Sequence, residues 1–310
     1  MEADNKYVRF DWAVKRMLRD KANFGVLEGL ITVLLNEPVH IMELLESESN
    51  QEAADDKFNR VDIKATNDRG DIFLVEVQLT REIHYLERIL YGTAKAITEH
   101  IHLGGSYGEV KKVYSINIVY FDLGKGKDYL YHGRNTFVGV HTGDTLQISP
   151  REKDGAIRMR TPEEVFPEYF IIRVNEFNDV ATTPLEEWVD YLKNNRIKDD
   201  TQAPGLQEAR EKLQYLMMSK AERNAYFEHY NAIMIQNDVI GNTRAEGYAE
   251  GMAKGRAEGR AEGIAEERQR SEKAMKEDRL RSAKSMKEDG LPIDIIVKYT
   301  GLSEEDITNL

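Results

Sequence analysis

The stretch that decides the fold runs from Arg60 to Gln78 and reads RVDIKATNDRGDIFLVEVQ. Apolar and polar residues alternate in its first part, a polar turn with a glycine follows, and the remainder is almost entirely apolar. This pattern predicts a β-hairpin whose second strand is buried. Glu76 and Gln78 lie near the end of that strand, where a carboxylate and a carboxamide are costly to bury without a partner.

The length of the turn determines which side chains of the hairpin share a face. If residues 68–70 form a three-residue loop with a left-handed glycine, Asp62 falls opposite Glu76, about 5 Å away at Cβ. Strand alternation then places Gln78 on the same face. The other face is apolar and consists of Phe73, Val75, Val77 and Leu79. A two-residue loop would instead separate the two acids across the sheet, so the register stays open.

Two carboxylates held side by side repel each other unless a cation lies between them. A hard divalent ion such as Mg²⁺ is usually bound through one or two carboxylates, together with water and substrate phosphate. The Asp62–Glu76 pair therefore suggests a metal site that activates water for attack on phosphorus. Gln78 could orient that water but supplies no positive charge. The alternative is that both acids lie at a strand edge and face solvent.

Composition narrows the class of protein. The chain has 310 residues, a net charge of −12 and no cysteine. The lack of cysteine excludes disulfides and thiolate zinc sites, and we expect a cytoplasmic protein. No segment approaches the roughly 18 apolar residues of a membrane span, and the N-terminus lacks a signal-peptide pattern, so we expect no membrane association. The acidic balance argues against nonspecific coating of nucleic acid, but it permits a locally basic cleft.

Predicted strands and helices interleave without a strict βαβ rhythm, which favours an α/β fold with a mixed sheet flanked by helices. Helices are predicted over residues 10–35, 80–101 and 184–195, and strands over residues 113–121, 129–133, 136–141 and 169–175, with a polar loop over 44–59. The helix over residues 80–101 carries an apolar stripe that we expect to be buried. The stripe consists of Ile83, Leu86, Ile89, Leu90, Ala94 and Ile97.

The C-terminal part is expected to be a helical extension. Composition predicts four regions, namely the α/β domain (1–198), a helical connector (199–243), a repeat region (244–288) and a small helical element (289–310). From Ala245 the sequence repeats Ala-(Glu/Lys)-Gly-x with a period of four. Each glycine costs about 1 kcal/mol in a helix, so the repeat is either a partly helical linker or a self-associating helix. The sequence of residues 291–310 predicts two short helices around a tight turn, with Ser303 as an N-cap ahead of Glu305 and Asp306.

Asp62, the hairpin and Glu76-Val77-Gln78 together resemble the core of the PD-(D/E)XK nuclease superfamily. The chain is most similar to recombination-promoting nucleases and transposases of the Rpn type, over about residues 8–195. The segments that carry the resemblance are FDWAVKRML, DDKFNRVDI, GDIFLVEVQ, ERILYG and YFIIRVNEFND.

The resemblance implies a restriction-endonuclease-like fold, DNA as the substrate and Mg²⁺, Mn²⁺ or Ca²⁺ as the cofactor. It implies Asp62, Glu76 and the Val77 carbonyl as metal ligands. Gln78 stands where the superfamily usually has lysine, and Asp11 matches a recurring acidic position that we expect to support the site. Positions that recur and could contact phosphate are Lys15, Lys57, Arg88 and Tyr91.

Two functions follow from these observations. The first is a metal-dependent DNA endonuclease that promotes recombination or transposition, and a dimer is favoured because paired nicks need two sites. The second is a catalytically weak, nuclease-like protein that binds DNA or assembles through its C-terminal repeat helix. Gln78 and the acidic net charge favour the second slightly, whereas the retained Asp62–Glu76 pair favours the first.

Overall fold

A computed structural model of the chain describes residues 7–45, 61–101, 106–148 and 160–310. The chain divides into two units, Met1–His229 and Tyr230–Leu310. Within the described ranges, no helix combines the length and the apolar composition needed to cross a membrane.

The first unit is built on a six-stranded mixed sheet. Its strands are β1 (Ile41–Leu45), β2 (Ile63–Asn67), β3 (Ile72–Gln78), β4 (Val113–Val119), β5 (Leu130–Gly133) and β6 (Glu168–Arg173). The spatial order is β1-β2-β3-β4-β6-β5, with β3, β4 and β6 parallel and the remaining neighbours antiparallel. The mixed sheet predicted from the sequence is confirmed.

Two strand predictions were wrong. β1 was not predicted, and its last two residues overlap the loop predicted over residues 44–59, the remainder of which lies outside the described residues. Residues 136–141 form no strand. The chain there turns back at Gly143, which has a left-handed φ of 72°, and makes only an isolated bridge between Val138 and Thr145. Such a turn leaves too few consecutive residues for a ladder to neighbouring strands.

Helices cover the sheet and form the C-terminal part. They are α1 (Phe10–Arg16), α2 (Phe24–Leu35), α3 (Tyr85–Glu99), α4 (Pro184–Asn194), α5 (Leu206–Lys212), α6 (Lys220–Glu288), α7 (Ile293–Thr300) and α8 (Glu304–Thr308). The single helix predicted over residues 10–35 is two helices. A 3-10 turn, Lys21–Asn23, separates them, and the Asp20 side chain caps it by accepting a hydrogen bond from the Ala22 backbone N–H at 2.9 Å.

β3 is buried on both faces, which explains its nearly continuous apolar sequence. Phe73, Val75 and Val77 join the main core, to which α1, α2 and α4 also contribute. Ile72 and Leu74 point the other way and pack with Ala96 of α3. Glu76 continues this second row toward the end of the strand and is buried as well.

The predicted buried stripe of α3 was wrong in most positions. The side chains of Ile83, Leu86 and Leu90 are more than half exposed. The buried face of α3 consists instead of Tyr85, Ile89, Gly92, Thr93 and Ala96. The helix lies against the sheet with its small residues inward, because small side chains allow the backbone of α3 to approach β3 and β4 closely.

The second unit contains the rest of α6 and the two terminal helices. The Ala-Glu-Gly repeat lies within α6, and the choice between a linker and a self-associating helix stays a prediction. Ala283, Ile296, Leu302 and Ile307 form a small core there. As predicted, Ser303 caps α8, and its hydroxyl accepts from the Asp306 backbone N–H at 3.1 Å. The division of the chain into four regions stays a prediction.

Candidate active site

The loop between β2 and β3 brings the two acids of the hairpin together. The backbone N–H of Asn67 donates to the carbonyl of Asp71 at 3.2 Å, and the N–H of Gly70 donates to the carbonyl of Asn67 at 3.0 Å. Gly70 has a φ of 78°, a left-handed value that favours glycine. The antiparallel register of β2 and β3, continued by one residue, places Asp62 opposite Glu76. The three-residue loop and its register are confirmed.

Asp62 is held at the end of β3 by contacts to both its side chain and its backbone. Its Oδ2 accepts a hydrogen bond from the backbone N–H of Val77 at 2.8 Å. The guanidinium of Arg19 donates to its carbonyl at 3.0 Å. Its Oδ1 lies 4.0 Å from the Nζ of Lys15. The carboxylate is thus oriented toward the end of β3 and lies beside a basic side chain.

Glu76 is a buried carboxylate that lacks enough compensation for its charge. Burial raises its pKa to about 7, the nearby Arg88 opposes the rise, and the negative charges of Asp62 and Glu82 add to it. Oε1 of Glu76 is in direct contact with the Arg88 guanidinium as an ion pair. Even with this ion pair, burial leaves the ionised form of Glu76 unfavourable.

Gln78 and Arg88 meet at Glu82, a residue that the sequence did not suggest. The Nε2 of Gln78 donates to Glu82 at 3.2 Å and to the carbonyl of Thr80 at 3.2 Å. Arg88 Nη1 donates to the same Glu82 oxygen, while its Nη2 faces Glu76. The structure therefore joins Gln78, Glu82, Arg88 and Glu76 in one chain of polar contacts. Glu82 lies in the segment between β3 and α3, where residue spacing carries no information about contacts.

A second set of polar side chains lies behind Glu76. Asn117 of β4 is the register partner of Glu76 and is buried. It donates to the Ser115 hydroxyl at 3.0 Å and to the Phe170 carbonyl at 3.3 Å, and it accepts from the Tyr85 hydroxyl at 3.5 Å. Burial, followed by the negative charge of Glu76, raises the pKa of Tyr85, which therefore stays a donor. The alternation of Ser115 and Asn117 in an apolar strand was a signal for these residues.

A basic cavity adjoins Asp62. It has a volume of about 340 Å³ and is lined by Lys15, Arg16, Arg19 and Asp62. Lys15 was a sequence candidate for phosphate contact, whereas Arg16 and Arg19 were not. The three bases come from the end of α1 and the turn after it, and the basic sequence KRMLR was a signal for them.

Asp11 lies elsewhere in the first unit. It is fully buried, and its two oxygens are engaged by Arg9 at 2.8 Å and by His229 at 2.6 Å. Burial alone would raise the pKa of Asp11, but the hydrogen bond from His229 and the charge of Arg9 hold it below its ordinary value. Its known partners are thus these two bases, and the structure does not bring it together with Asp62 and Glu76.

The other candidate positions differ in how they relate to the site. Val77 has its side chain in the core and its backbone N–H on Asp62, so its backbone runs beside the acids. Tyr91 lies on α3 three residues after Arg88, with a side chain that is partly exposed. Lys57 lies outside the described residues.

The donor groups suit a hard divalent cation. In the parts of the chain that the structure describes, no cluster of three or more histidine, aspartate or glutamate side chains is arranged to hold a metal. A Mg²⁺ site does not require one, since one or two carboxylates commonly suffice. Asp62 and Glu76, which lie opposite each other when the β2–β3 register is continued by one residue, supply the carboxylates that such an ion needs.

A family model matches the part of the chain that contains Asp62 and Glu76. Residues 8–148 match the model of the PD-(D/E)XK nuclease family transposases. Over this segment the chain is similar to the PD-(D/E)XK nuclease family. The predicted resemblance and the restriction-endonuclease-like α/β fold are confirmed, although the match ends before residue 195. The match supports a nuclease-like function. The comparisons with curated proteins and with solved structures returned no match.

Proposed function

We propose that this protein is a metal-dependent endonuclease that hydrolyses phosphodiester bonds in DNA. The observation that carries the proposal is the position of Asp62 beside the buried, under-compensated Glu76 at the end of β3. The basic cavity next to Asp62 supports DNA as the substrate, because phosphate neutralisation needs lysine and arginine. Recombination or transposition is the biological setting that the family suggests.

Asp62, Glu76 and the carbonyl of Val77 would hold the ion, for which Mg²⁺ is favoured and Mn²⁺ or Ca²⁺ are alternatives. A bound divalent ion lowers the pKa of water and offsets negative charge on phosphate oxygens. In the hydrolysis, a water oxygen forms a bond to phosphorus and the bond to the 3′ oxygen breaks. The water loses a proton to solvent, and the departing 3′ oxygen gains one.

The residues of the chain would bind and orient the substrate. Lys15, Arg16 and Arg19 would contact the phosphate backbone on the side of Asp62. Asp62 is kept in position by the Val77 N–H, which reduces the reorganisation needed when substrate binds. Asp11 would act only indirectly, through the packing of α1, and Lys57 stays a predicted phosphate contact.

A nuclease-like DNA-binding or assembly protein is the second candidate. It is favoured by Gln78, whose amide is engaged by Glu82 and Thr80 and carries no charge. In this second candidate, the protein assembles through the repeat in α6. A Cβ added at any glycine of the repeat from Gly247 to Gly263 would meet nothing within 4 Å, which leaves room for close approach by another helix.

Cleavage of supercoiled plasmid tests the first candidate against the second. The native protein is incubated with Mg²⁺, Mn²⁺ or EDTA, alongside Asp62→Ala, Glu76→Ala and a control, Glu211→Ala, which removes an exposed carboxylate on α5. We expect metal-dependent nicking or linearisation that both site variants lose and the control keeps. If the folded native protein binds DNA but does not cleave it in the presence of any of these metals, the second candidate replaces the first.

A homodimer is proposed from the repeat and from the need for two sites. Light scattering coupled to size-exclusion chromatography over a range of concentrations measures it directly. Helix content of the repeat region that rises with concentration indicates self-association, whereas a constant monomer mass contradicts the dimer. The cytoplasmic location expected from the lack of cysteine stays a prediction.

A further inference from the structure

The site holds three carboxylates and would bind a phosphodiester, so it needs positive charge from the protein. Asp62, Glu76 and Glu82 supply the negative charges, and Gln78 adds none. The bases whose charge opposes the raised pKa of Glu76 are Arg88 and Lys15, and Arg88 comes first. Lys15 lies on the Asp62 side at 4.0 Å, with a side chain that is 45% exposed.

We propose that Arg88 supplies the cationic group of this site, and that Glu82 and Gln78 are positioning residues that aim it at the scissile phosphate. This inference rests on the proposed function and names the residue that would stabilise charge on the substrate. It goes beyond a phosphate contact, since it gives Arg88 a place next to the proposed metal ligand and gives Gln78 a role other than orienting water.

The geometry of the guanidinium supports this role. Its Nη1 bonds Glu82 while its Nη2 faces Glu76, so one planar group bridges two carboxylates. Arginine suits such a position because its rigid fork has five donors and stays protonated at any working pH. The side chain is 30% exposed, so a phosphate oxygen can reach it from solvent. When Glu76 binds a metal ion, Arg88 would keep the hydrogen bond from Nη1 to Glu82, and its Nη2 would donate to the phosphate instead of to Glu76.

Gln78 explains why Glu82 stays in place. Glu82 is 37% exposed and lies in a connecting segment rather than in a helix or strand. The amide of Gln78 donates to Glu82 and, through the same nitrogen, to the backbone of Thr80, which ties the segment to the end of β3. A lysine at position 78 would carry charge itself, whereas the glutamine anchors the carboxylate that holds the arginine.

The chemistry assigned to Arg88 is electrostatic. The guanidinium neither gives nor takes a proton. It would stabilise the additional negative charge that the non-bridging phosphate oxygens acquire as the water oxygen bonds to phosphorus. Removing one such donor from an active site typically lowers the rate roughly 10²–10³-fold.

The test compares Arg88→Ala, Arg88→Lys, Glu76→Ala, Gln78→Lys and the combination of Arg88→Ala with Gln78→Lys against a control, Arg134→Ala, which removes an exposed, ion-paired arginine elsewhere in the unit. Glu82→Gln is included as well and should lower cleavage less than Arg88→Ala, because the guanidinium stays but loses the carboxylate that positions it. Three quantities are measured, namely single-turnover cleavage with Mg²⁺, Ca²⁺ binding by calorimetry, and the salt dependence of duplex DNA binding in Ca²⁺ by fluorescence anisotropy. The last two do not depend on cleavage.

We expect Arg88→Ala to lower cleavage roughly 10²–10³-fold and to reduce the slope of log K against log salt by about 0.9, as loss of one phosphate contact predicts. Its Ca²⁺ affinity should be equal or higher, because a competing cation at Glu76 is gone. Arg88→Lys should keep part of the cleavage rate that Arg88→Ala loses. Gln78→Lys should raise the cleavage rate of Arg88→Ala by a larger factor than it raises the rate of the native protein.

Two results would overturn the inference. If Arg88→Ala cleaves like the control, the guanidinium is not needed, and if it loses Ca²⁺ binding as Glu76→Ala does, Arg88 only maintains the carboxylates. Failure of the proposed function looks different, because then the native protein itself does not cleave. In that case the salt slope alone decides whether Arg88 contacts phosphate, and an unchanged slope refutes it.

Discussion

Replacing Glu76 with glutamine should stabilise the protein at alkaline pH, although it removes a proposed metal ligand. Burial, against the opposing charge of Arg88, raises the pKa of Glu76 from 4.5 to about 7. In the unfolded chain this carboxyl group ionises near its ordinary value, whereas in the folded protein it keeps its proton to a higher pH. Ionised Glu76 is therefore unfavourable for folding.

The sign and size of the effect follow from proton linkage. Between pH 4.5 and about 7 the folded state binds more protons than the unfolded state, so the free energy of unfolding falls as the pH rises through this window. At about 1.4 kcal/mol per pKa unit, the loss is about 3 kcal/mol once the pH exceeds 7. The Glu76 side chain is 9% exposed, so solvent screening reduces this figure little. A neutral glutamine of the same shape avoids the loss.

Thermal and urea unfolding in EDTA at about pH 5 and pH 8 measure the effect, with Glu211→Gln as a control for removing a carboxylate at the surface. We expect Glu76→Gln to match the native protein at the lower pH and to exceed its Tm by about 6–12 °C at the higher pH, using about 2–4 °C per kcal/mol. Adding Ca²⁺ at pH 8 should raise the Tm of the native protein and leave that of Glu76→Gln nearly unchanged. Equal stabilities at both pH values would refute the argument.

Three further substitutions test the fold around the site and at the C-terminus by urea unfolding. Asp11→Asn should lower the free energy of unfolding by about 3–5 kcal/mol, because it leaves two basic partners without their buried anion. In the native protein, the pKa of Asp11 is lowered from 3.8, so stability should fall as acid protonates this group below pH 3.8. A urea midpoint that Asp11→Asn leaves unchanged would contradict the ion cluster. Gly29→Ala should cost about 1–3 kcal/mol or more, since its Cβ would overlap the backbone of Gly205, whereas Gly25→Ala, with ordinary contacts, should be tolerated. Ser303→Ala should cost about 1 kcal/mol of stability in the second unit, and Ser303→Asp, which keeps a capping oxygen, should restore it.

The hairpin could be predicted because its structure depends on neighbouring residues. The turn of residues 68–70 with a left-handed glycine sets the register, and register alone decides that Asp62 faces Glu76. The same holds for the Ser303 cap at the end of the chain, where the capping oxygen and the first turn lie within a few residues. In each case the interaction and the sequence signal are equally local.

The buried face of α3 could not be predicted, because it depends on the surface against which the helix packs. Leu86 and Leu90 form the more apolar stripe, yet Gly92, Thr93 and Ala96 lie inward, since small residues leave room for the helix to pack closely on the sheet. Hydrophobicity ranks side chains but does not report the space available to them. The wrong stripe also concealed that Tyr85 faces the site.

Glu82 and the partners of Asp11 were missed for another reason. Glu82 lies in an irregular segment, where no period relates sequence position to direction. His229 contacts Asp11 across 218 positions of sequence, in a helix that composition assigns to a separate connector. The family resemblance singled out Asp11 as an acid of the site, whereas its known contacts give it a place in the packing of α1 against α6.

The local charges at the site also reconcile an acidic chain with a DNA substrate. A net charge of −12 acts over the whole molecule, but at physiological salt an exposed charge is screened beyond about 8 Å. Next to Asp62, the cavity presents Lys15, Arg16 and Arg19, and Arg88 is ion-paired with Glu76. Under the proposed function, these bases would hold the phosphodiester and the two carboxylates beside them would hold the divalent cation. The position of these few charges, rather than their total over the chain, is what determines whether DNA can bind here.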